Sequence, residues 1–242
     1  MSVSVDLAGA MVERGGQQVV VGVYLTVAHG SWFGLIGANG SGKTSLLRAL
    51  SGRLPFAAGS CRLDGEELAG DRKGRALRFG FAPPADKLPD AIRGRDALEI
   101  VGGTMDEIRS RLGTLYPALG LASLLDRWIG DCSAGMRQRI AIAAGFASGH
   151  SLVVLDEPFN SLDPVAVFDL REALRAKVDD GLTLITSLHD LFTLSSVCDA
   201  GLMLADGKVA LTLDKDMLQA AALDPQSFER QTIDWLRSAS DH

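Results

Sequence analysis

Apolar and polar side chains alternate along the start of the chain. Val3, Val5 and Leu7 are interleaved with Ser4, Asp6 and Ala8, and Val19, Val21, Val23, Leu25 and Val27 repeat the pattern. Such a period of two predicts half-buried strands, and Gly15-Gly16 predicts the turn joining them. Residues 32–36 form a short apolar run, followed by a glycine-rich loop and a helix over 44–51. Residues 61–63 and 79–81 are further strand candidates, and Pro83-Pro84 and Pro89 then break regular structure. From about 95 to 148 the apolar spacing is helical, and Thr104 and Glu107 stand at capping-box distance.

Residues 152–155 and 182–185 are solid apolar runs of strand length. Continuous apolar strands alternating with helices predict a parallel sheet covered on both faces. Asp163 before Pro164 supplies an N-cap and a first-turn proline for a helix reaching about 178. A last strand follows Gly207, then a helical tail over 214–242 carrying Phe228, Trp235 and Leu236 at amphipathic spacing.

Composition narrows the classes. A chain of 242 residues can bury about 72% of its extended surface, so a sizeable core is affordable. The net charge of −6 excludes a whole-chain basic footprint, and no nucleic-acid partner is expected. The longest apolar runs, 19–28 and 140–147, fall short of the roughly 18 residues of a spanning helix. No basic region precedes an apolar block at the N-terminus, so no signal peptide is expected. Cys61, Cys132 and Cys198 are an odd, scattered set, which points to a reducing compartment. Cys132 and Cys198 read as small buried residues rather than reactive thiols.

Residues 37–44, Gly-Ala-Asn-Gly-Ser-Gly-Lys-Thr, fit the phosphate-loop pattern G-x-x-x-x-G-K-[ST] in full. The chemistry needs each type. Gly37, Asn39, Gly40, Ser41, Gly42, Thr44 and Ser45 bring backbone N–H groups towards phosphate oxygens. Lys43 adds a point charge and Thr44 offers a hydroxyl to Mg²⁺. The helix that follows aims its positive end at the same oxygens. Chance produces this pattern in about one chain in a hundred of this composition.

Asp156 and Glu157 emerge from the end of a buried strand, where ligands collect in open α/β sheets. Asp156 is placed to hold Mg²⁺, directly or through water, and Glu157 to activate an attacking water. His189 follows the next apolar strand and should reach the same edge, near a terminal phosphate.

Residues 131–140, Asp-Cys-Ser-Ala-Gly-Met-Arg-Gln-Arg-Ile, open a helix with small residues that expose free N–H groups. In this order the motifs resemble those of the ATP-binding cassette (ABC) ATPases. Residues 37–44 look like the Walker A loop, 152–157 like Walker B, and 132–136 like the family signature. Ser161-Leu-Asp163 resembles the D-loop and His189 the switch histidine. The resemblance covers about residues 3–213.

It implies an α/β P-loop NTPase (RecA-like) core with a parallel sheet. An N-terminal antiparallel β subdomain and an inserted α-helical subdomain are implied too. One ABC ATPase domain would span 1–213, with the nucleotide core in 1–85 and 150–213, the helical subdomain in 86–149, and a tail in 214–242. It further implies a homodimer, or a heterodimer with a related ATPase, sandwiching two ATP. By resemblance Glu157 is the general base, Asp156 and Thr44 serve Mg²⁺, Lys43 binds the β/γ-phosphates, and His189 senses the γ-phosphate. Ser133, Ala134, Gly135 and Met136 would contact ATP across the dimer, with Asp163 beside them. The expected protein is the ATPase subunit of a transporter, leaning towards export, on the cytoplasmic face of a membrane and partnered by an integral permease. A soluble non-transport ABC ATPase, such as an iron–sulfur assembly factor, and a non-catalytic ATP switch are the alternatives.

Two departures from the family pattern stand out. Pro84 occupies the place of a glutamine that binds Mg²⁺, so Asp86 or a water is the expected substitute. Arg14 occupies the place of an aromatic residue under adenine, where a guanidinium plane can also stack.

Overall fold

The computed structural model describes residues 3–224 together with Phe228 and Arg230. Trp235, Leu236 and the proline at 225, expected in the helical tail, lie outside the described residues.

In chain order the elements are β1 (Val3–Arg14), β2 (Gln17–Ala28), β3 (Trp32–Ile36), α1 (Lys43–Leu50), β4 (Ala58–Leu63), β5 (Glu66–Glu67), α2 (Arg72–Ala76) and β6 (Gly80–Phe81). A helical stretch follows: α3 (Gly94–Gly102), α4 (Met105–Leu112), α5 (Leu115–Ala118) and α6 (Ala134–Ala147). The chain then runs β7 (Leu152–Leu155), α7 (Pro164–Asp179), β8 (Thr183–Ser187), α8 (Leu191–Val197), β9 (Ala200–Ala205), β10 (Lys208–Leu213) and α9 (Lys215–Leu223).

Two sheets form. One is antiparallel, in the order β2-β1-β4-β5, and the other runs β10-β9-β3-β8-β7-β6. In the second, β3, β6, β7, β8 and β9 are parallel and only β10 returns antiparallel to β9. β3, β7 and β8 are buried along their whole length; β3 and β7 accordingly lack polar side chains, whereas β8 also buries the hydroxyls of Thr183, Thr186 and Ser187. One core lies between this sheet, α6, α7 and the helices α3–α5. The other lies between the opposite sheet face, α1 and the antiparallel sheet.

The hairpin forms at Gly15 and Gly16, both with positive φ, as a two-residue turn matched to strand twist requires. The simple alternation in β1 and β2 does not persist. Val20 is buried while Val19 and Val21 are only partly so, and on β1 the buried set passes from Leu7 to Ala10 and Val12. Register shifts near Gly9 and Gly22, both with positive φ, add a residue and turn the following side chains to the other face. The strand β9 and the helix α8 are additions to the sequence reading.

Thr104 and Glu107 make the reciprocal capping box, and Asp163 caps α7 ahead of Pro164, as their spacing predicts. The thiols are structural. Burial pushes Cys61 up to about 12 and raises Cys132 and Cys198 above the ordinary thiol range. Phe228 packs on a small cluster of Ile36, Leu188, Leu194, Met203, Leu213 and Leu218. Among the described residues no helix is long and apolar enough to cross a membrane.

Candidate nucleotide site

Sheet order assembles the site. β8 lies between β3 and β7, with Leu35 opposite Ser187 and Leu155 opposite Thr186. The loops leaving the carboxyl ends of these three neighbours carry the phosphate loop, Asp156-Glu157 and His189. Residues as far apart in sequence as Gly37 and His189 therefore share one edge.

Close approach of backbone shapes the phosphate loop. A Cβ on Gly37 would lie 2.2 Å from the Leu204 carbonyl oxygen, and one on Gly42 would lie 2.5 Å from that of Val19. Both glycines also have positive φ, so any other residue would be strained and clash. α1 starts at Gly42 without a side-chain cap, which leaves its first N–H groups for an anion. Lys43 is buried, and its Nζ donates to the carbonyls of Gly37 at 2.7 Å and Ala38 at 3.2 Å. Among the described residues the buried Ser41 hydroxyl has no hydrogen-bond partner. A buried ammonium folded onto its own loop, beside an unsatisfied hydroxyl, is suited to taking up phosphate oxygens.

The carboxylates are held as a pair. Ser187 Oγ donates to Asp156 Oδ1 at 2.6 Å and accepts from the Glu157 backbone N–H at 2.8 Å. Glu157 has φ +51°, a conformation unfavourable for a non-glycine residue. Its Oε2 lies 3.1 Å from His189 Nε2 and accepts from Asn160 Nδ2 at 2.7 Å. Gln138 Nε2 donates to the carbonyls of Glu157 and Pro158, both at 3.3 Å, and so ties α6 to this turn.

Two clefts meet here. One of about 310 Å³ is lined by Arg14, Val19, residues 39–45 and Glu157. Arg14 therefore flanks the phosphate loop. The other, about 630 Å³, has Thr44, Asp156, Glu157, Pro84, Asp86 and Ala134 on its walls. Pro84 offers no side-chain ligand. Asp86 is largely exposed and pairs with Lys87 at 3.0 Å, which pulls its carboxyl below the usual range.

The remaining predicted residues lie at the start of α6 and on the loop before α7. Ser133 caps α6 by accepting from the Met136 N–H at 3.3 Å, and Ser133 and Ala134 are exposed. The Met136 side chain packs against the helical core. A Cβ on Gly135 would lie 2.5 Å from the Ser161 carbonyl oxygen, so the signature glycine abuts the loop carrying Asp163. Asp163 accepts from the Ala166 N–H at 2.9 Å and from Arg139 at 3.0 Å, and the first of these chiefly holds its carboxyl low.

Comparison with known proteins decides the family. Residues 20–160, more than half of the chain, match the ABC transporter family. The chain belongs to it. It is an ABC transporter ATP-binding subunit, and cassettes of this family are ATPases. The Nod factor export ATP-binding protein I of Rhizobium sp. (strain N33) is 31% identical over 210 residues, covering 85% of this chain and 69% of that protein. The hemin import ATP-binding protein HmuV of Pseudomonas fluorescens is 35% identical over 210 residues, 81% of each chain. The solved ATP-binding subunit of an ABC transporter superposes with a TM-score of 0.81 at 25% identity, covering 95% of this chain and 99% of that one. A bacterial Atm1-family ABC exporter with ATP bound, 22% identical, shares the fold with a TM-score of 0.75 over 95% of this chain and 42% of its own.

The cassette's donor set fits Mg²⁺ held jointly with phosphate. Among the described residues no three His, Cys, Asp or Glu gather into an all-protein metal site. The Thr44 hydroxyl and the Asp156 carboxylate share one cleft wall, a hard-oxygen pair that leaves further positions to phosphate and water. Sequence reading did not single out Ser187 or Asn160, and it gave Gln138, inside residues 131–140, no role of its own. Asn160 meets Glu157 within one turn of chain, whereas only the fold brings Ser187 and Gln138 there.

Proposed function

We propose that this cassette hydrolyses ATP at a dimer interface and drives export through a separate integral membrane permease, from the cytoplasmic face of the membrane. The observation carrying the catalytic part is the 3.1 Å approach of His189 Nε2 to Glu157 Oε2, on the sheet edge that holds a complete phosphate loop. Glu157 accepts the proton of the attacking water, and His189 orients that carboxylate and meets the γ-phosphate. Lys43 and the N–H groups of residues 39–45 bind the phosphates. Thr44 and Asp156 would hold Mg²⁺, which neutralises developing phosphate charge when bound. Exposed Ser133 and Ala134 and half-buried Gly135, with the Met136 backbone, would meet the γ-phosphate of a second subunit, with Asp163 beside that contact. A closed dimer of this kind has two equivalent sites.

Export rests on the Nod factor export relatives and on the Ser-x-Gly-Met-Arg-Gln-Arg form of the signature. The test is a tagged pull-down from detergent-solubilised membranes and from cytosol. A stoichiometric polytopic partner in the membrane fraction is the expected result. A protein found wholly in cytosol, alone or with a soluble partner, would move the reading to a non-transport ATPase.

Arg14 flanks the phosphate loop and supplies a planar cation for the base. Arg14→Ala should weaken ATP binding about 2- to 5-fold in an equilibrium titration, the size of an exposed cation–π contact. Unchanged affinity would remove Arg14 from the adenine site.

A further inference from the structure

A single hydroxyl touches both members of the carboxylate pair. A serine hydroxyl has one proton to give and two lone pairs. Ser187 gives its proton to Asp156 Oδ1 at 2.6 Å and takes the Glu157 N–H at 2.8 Å. It is the last residue of β8, one place beyond the pairing of Thr186 with Leu155, so β8 delivers it to the turn that leaves β7. Ser187 is fully buried, and water has no access to replace its hydroxyl. Thr186 is no substitute, because neighbouring strand residues point to opposite faces and its Oγ1 is turned to Trp32 Nε1.

The two bonds fix different things. The bond to Oδ1 restricts rotation of the Asp156 carboxylate and leaves Oδ2 free of this contact. The bond from the Glu157 N–H holds a non-glycine backbone at φ +51°, a conformation that persists only where the surroundings impose it. On the other side of that peptide, the Glu157 carbonyl accepts from Gln138 Nε2 and from the Asn160 N–H, each at 3.3 Å. Outer hydrogen bonds of this kind set how well a carboxylate meets a cation.

We propose that Ser187 is a positioning residue that sets Asp156 for the divalent ion and Glu157 for the attacking water through one hydroxyl. The proposal rests on the ATPase reading above. It makes metal affinity and water activation depend on the same proton donor, so losing that donor harms both together.

The isosteric pair Ser187→Thr and Ser187→Val isolates the hydroxyl, since the two side chains differ in nothing else of size. Ser187→Ala is the third variant, in case the larger groups are not accepted in the buried position. All are made in the full chain. ATP binding is titrated in the Glu157→Gln background, with Mg²⁺ and separately with chelator, and turnover is followed with Glu157 intact. Ser187→Val and Ser187→Ala should raise the half-saturating Mg²⁺ concentration about 10- to 100-fold, with metal-free ATP affinity unchanged. They should lower kcat more than they raise KM for ATP, and Ser187→Thr should restore both. Either hydroxyl-free variant matching the parent in Mg²⁺ dependence and kcat overturns the proposal. So does a folded Ser187→Thr as impaired as Ser187→Val, because the effect would then be one of size. A parent chain without Glu157-dependent ATP turnover, measured first, overturns the ATPase reading and this inference with it.

Discussion

Glu157→Gln should lower ATP turnover about 10²- to 10⁴-fold while ATP still binds. The carboxylate already accepts from Asn160 Nδ2 on Oε2, with His189 Nε2 3.1 Å from the same oxygen, so it is oriented before any ligand arrives. A glutamine keeps the size and one acceptor oxygen but cannot take a proton from water. Binding should survive because Lys43 and the N–H groups of the phosphate loop are untouched. In the proposed dimer, trapped ATP should also lengthen the life of the assembly, since on that reading hydrolysis releases it. Turnover within about threefold of the parent would fail the general-base role, as the smallest expected loss is a hundredfold. The loss of ATP binding together with turnover would place Glu157 among the binding groups instead. A purified parent with no turnover, tested with any co-purified permease present, would favour the ATP switch, to which Pro84 already lends some weight.

The proposed site residues are legible in the sequence wherever the chemistry assigned to them needs fixed local spacing. Residues 37–44 carry glycines where the backbone cannot tolerate a Cβ, so Gly37 and Gly42 announce themselves. Asp156 and Glu157 follow a four-residue apolar run of strand length, and its place between two helical stretches marks it as a buried strand. The capping residues Thr104 and Asp163 act within three residues of themselves, and both are used as their spacing predicts. Residues whose role depends on sheet order left no such trace. Ser187 stands 31 positions from Asp156, and nothing short of the β3-β8-β7 arrangement brings them into contact. The faces of β1 and β2 were lost for a different reason, because a bulge reverses the alternation without altering its local appearance. Short elements also escape: the apolar run of β9 is six residues long, and α8 is seven. Neither is long enough to separate period two from period 3.6.

The largest effect on stability should come from Trp32→Ala. Trp32 is fully buried at the start of β3, in the core shared with α6 and α7. Its indole N–H donates to Thr186 Oγ1 at 2.8 Å, and its backbone N–H donates to Asp199 Oδ2 at 2.8 Å. Removing the ring leaves a large cavity under the central strands, and truncations of this kind cost about 3–5 kcal/mol. Against a typical total of about 5–15 kcal/mol, that is a major fraction. In a chain of this size it should lower Tm by roughly 6–20 °C. Trp32→Phe keeps most of the volume and loses the bond to Thr186, so it should cost only about 1–2 kcal/mol. Melting of the three proteins, followed by circular dichroism, checks both steps. An alanine variant melting within about 2 °C of the parent would mean that this core collapses onto the gap, against the packing expected of a parallel sheet covered on both faces. Thr186 directly precedes Ser187, so the same truncation loosens the strand end that delivers the hydroxyl to Asp156 and Glu157. Saturating Mg²⁺-ATP should therefore stabilise the Trp32→Ala protein less than the parent, because ligand stabilisation falls as the dissociation constant rises. An equal shift in both proteins would separate the core at β3 from the site at the end of β8.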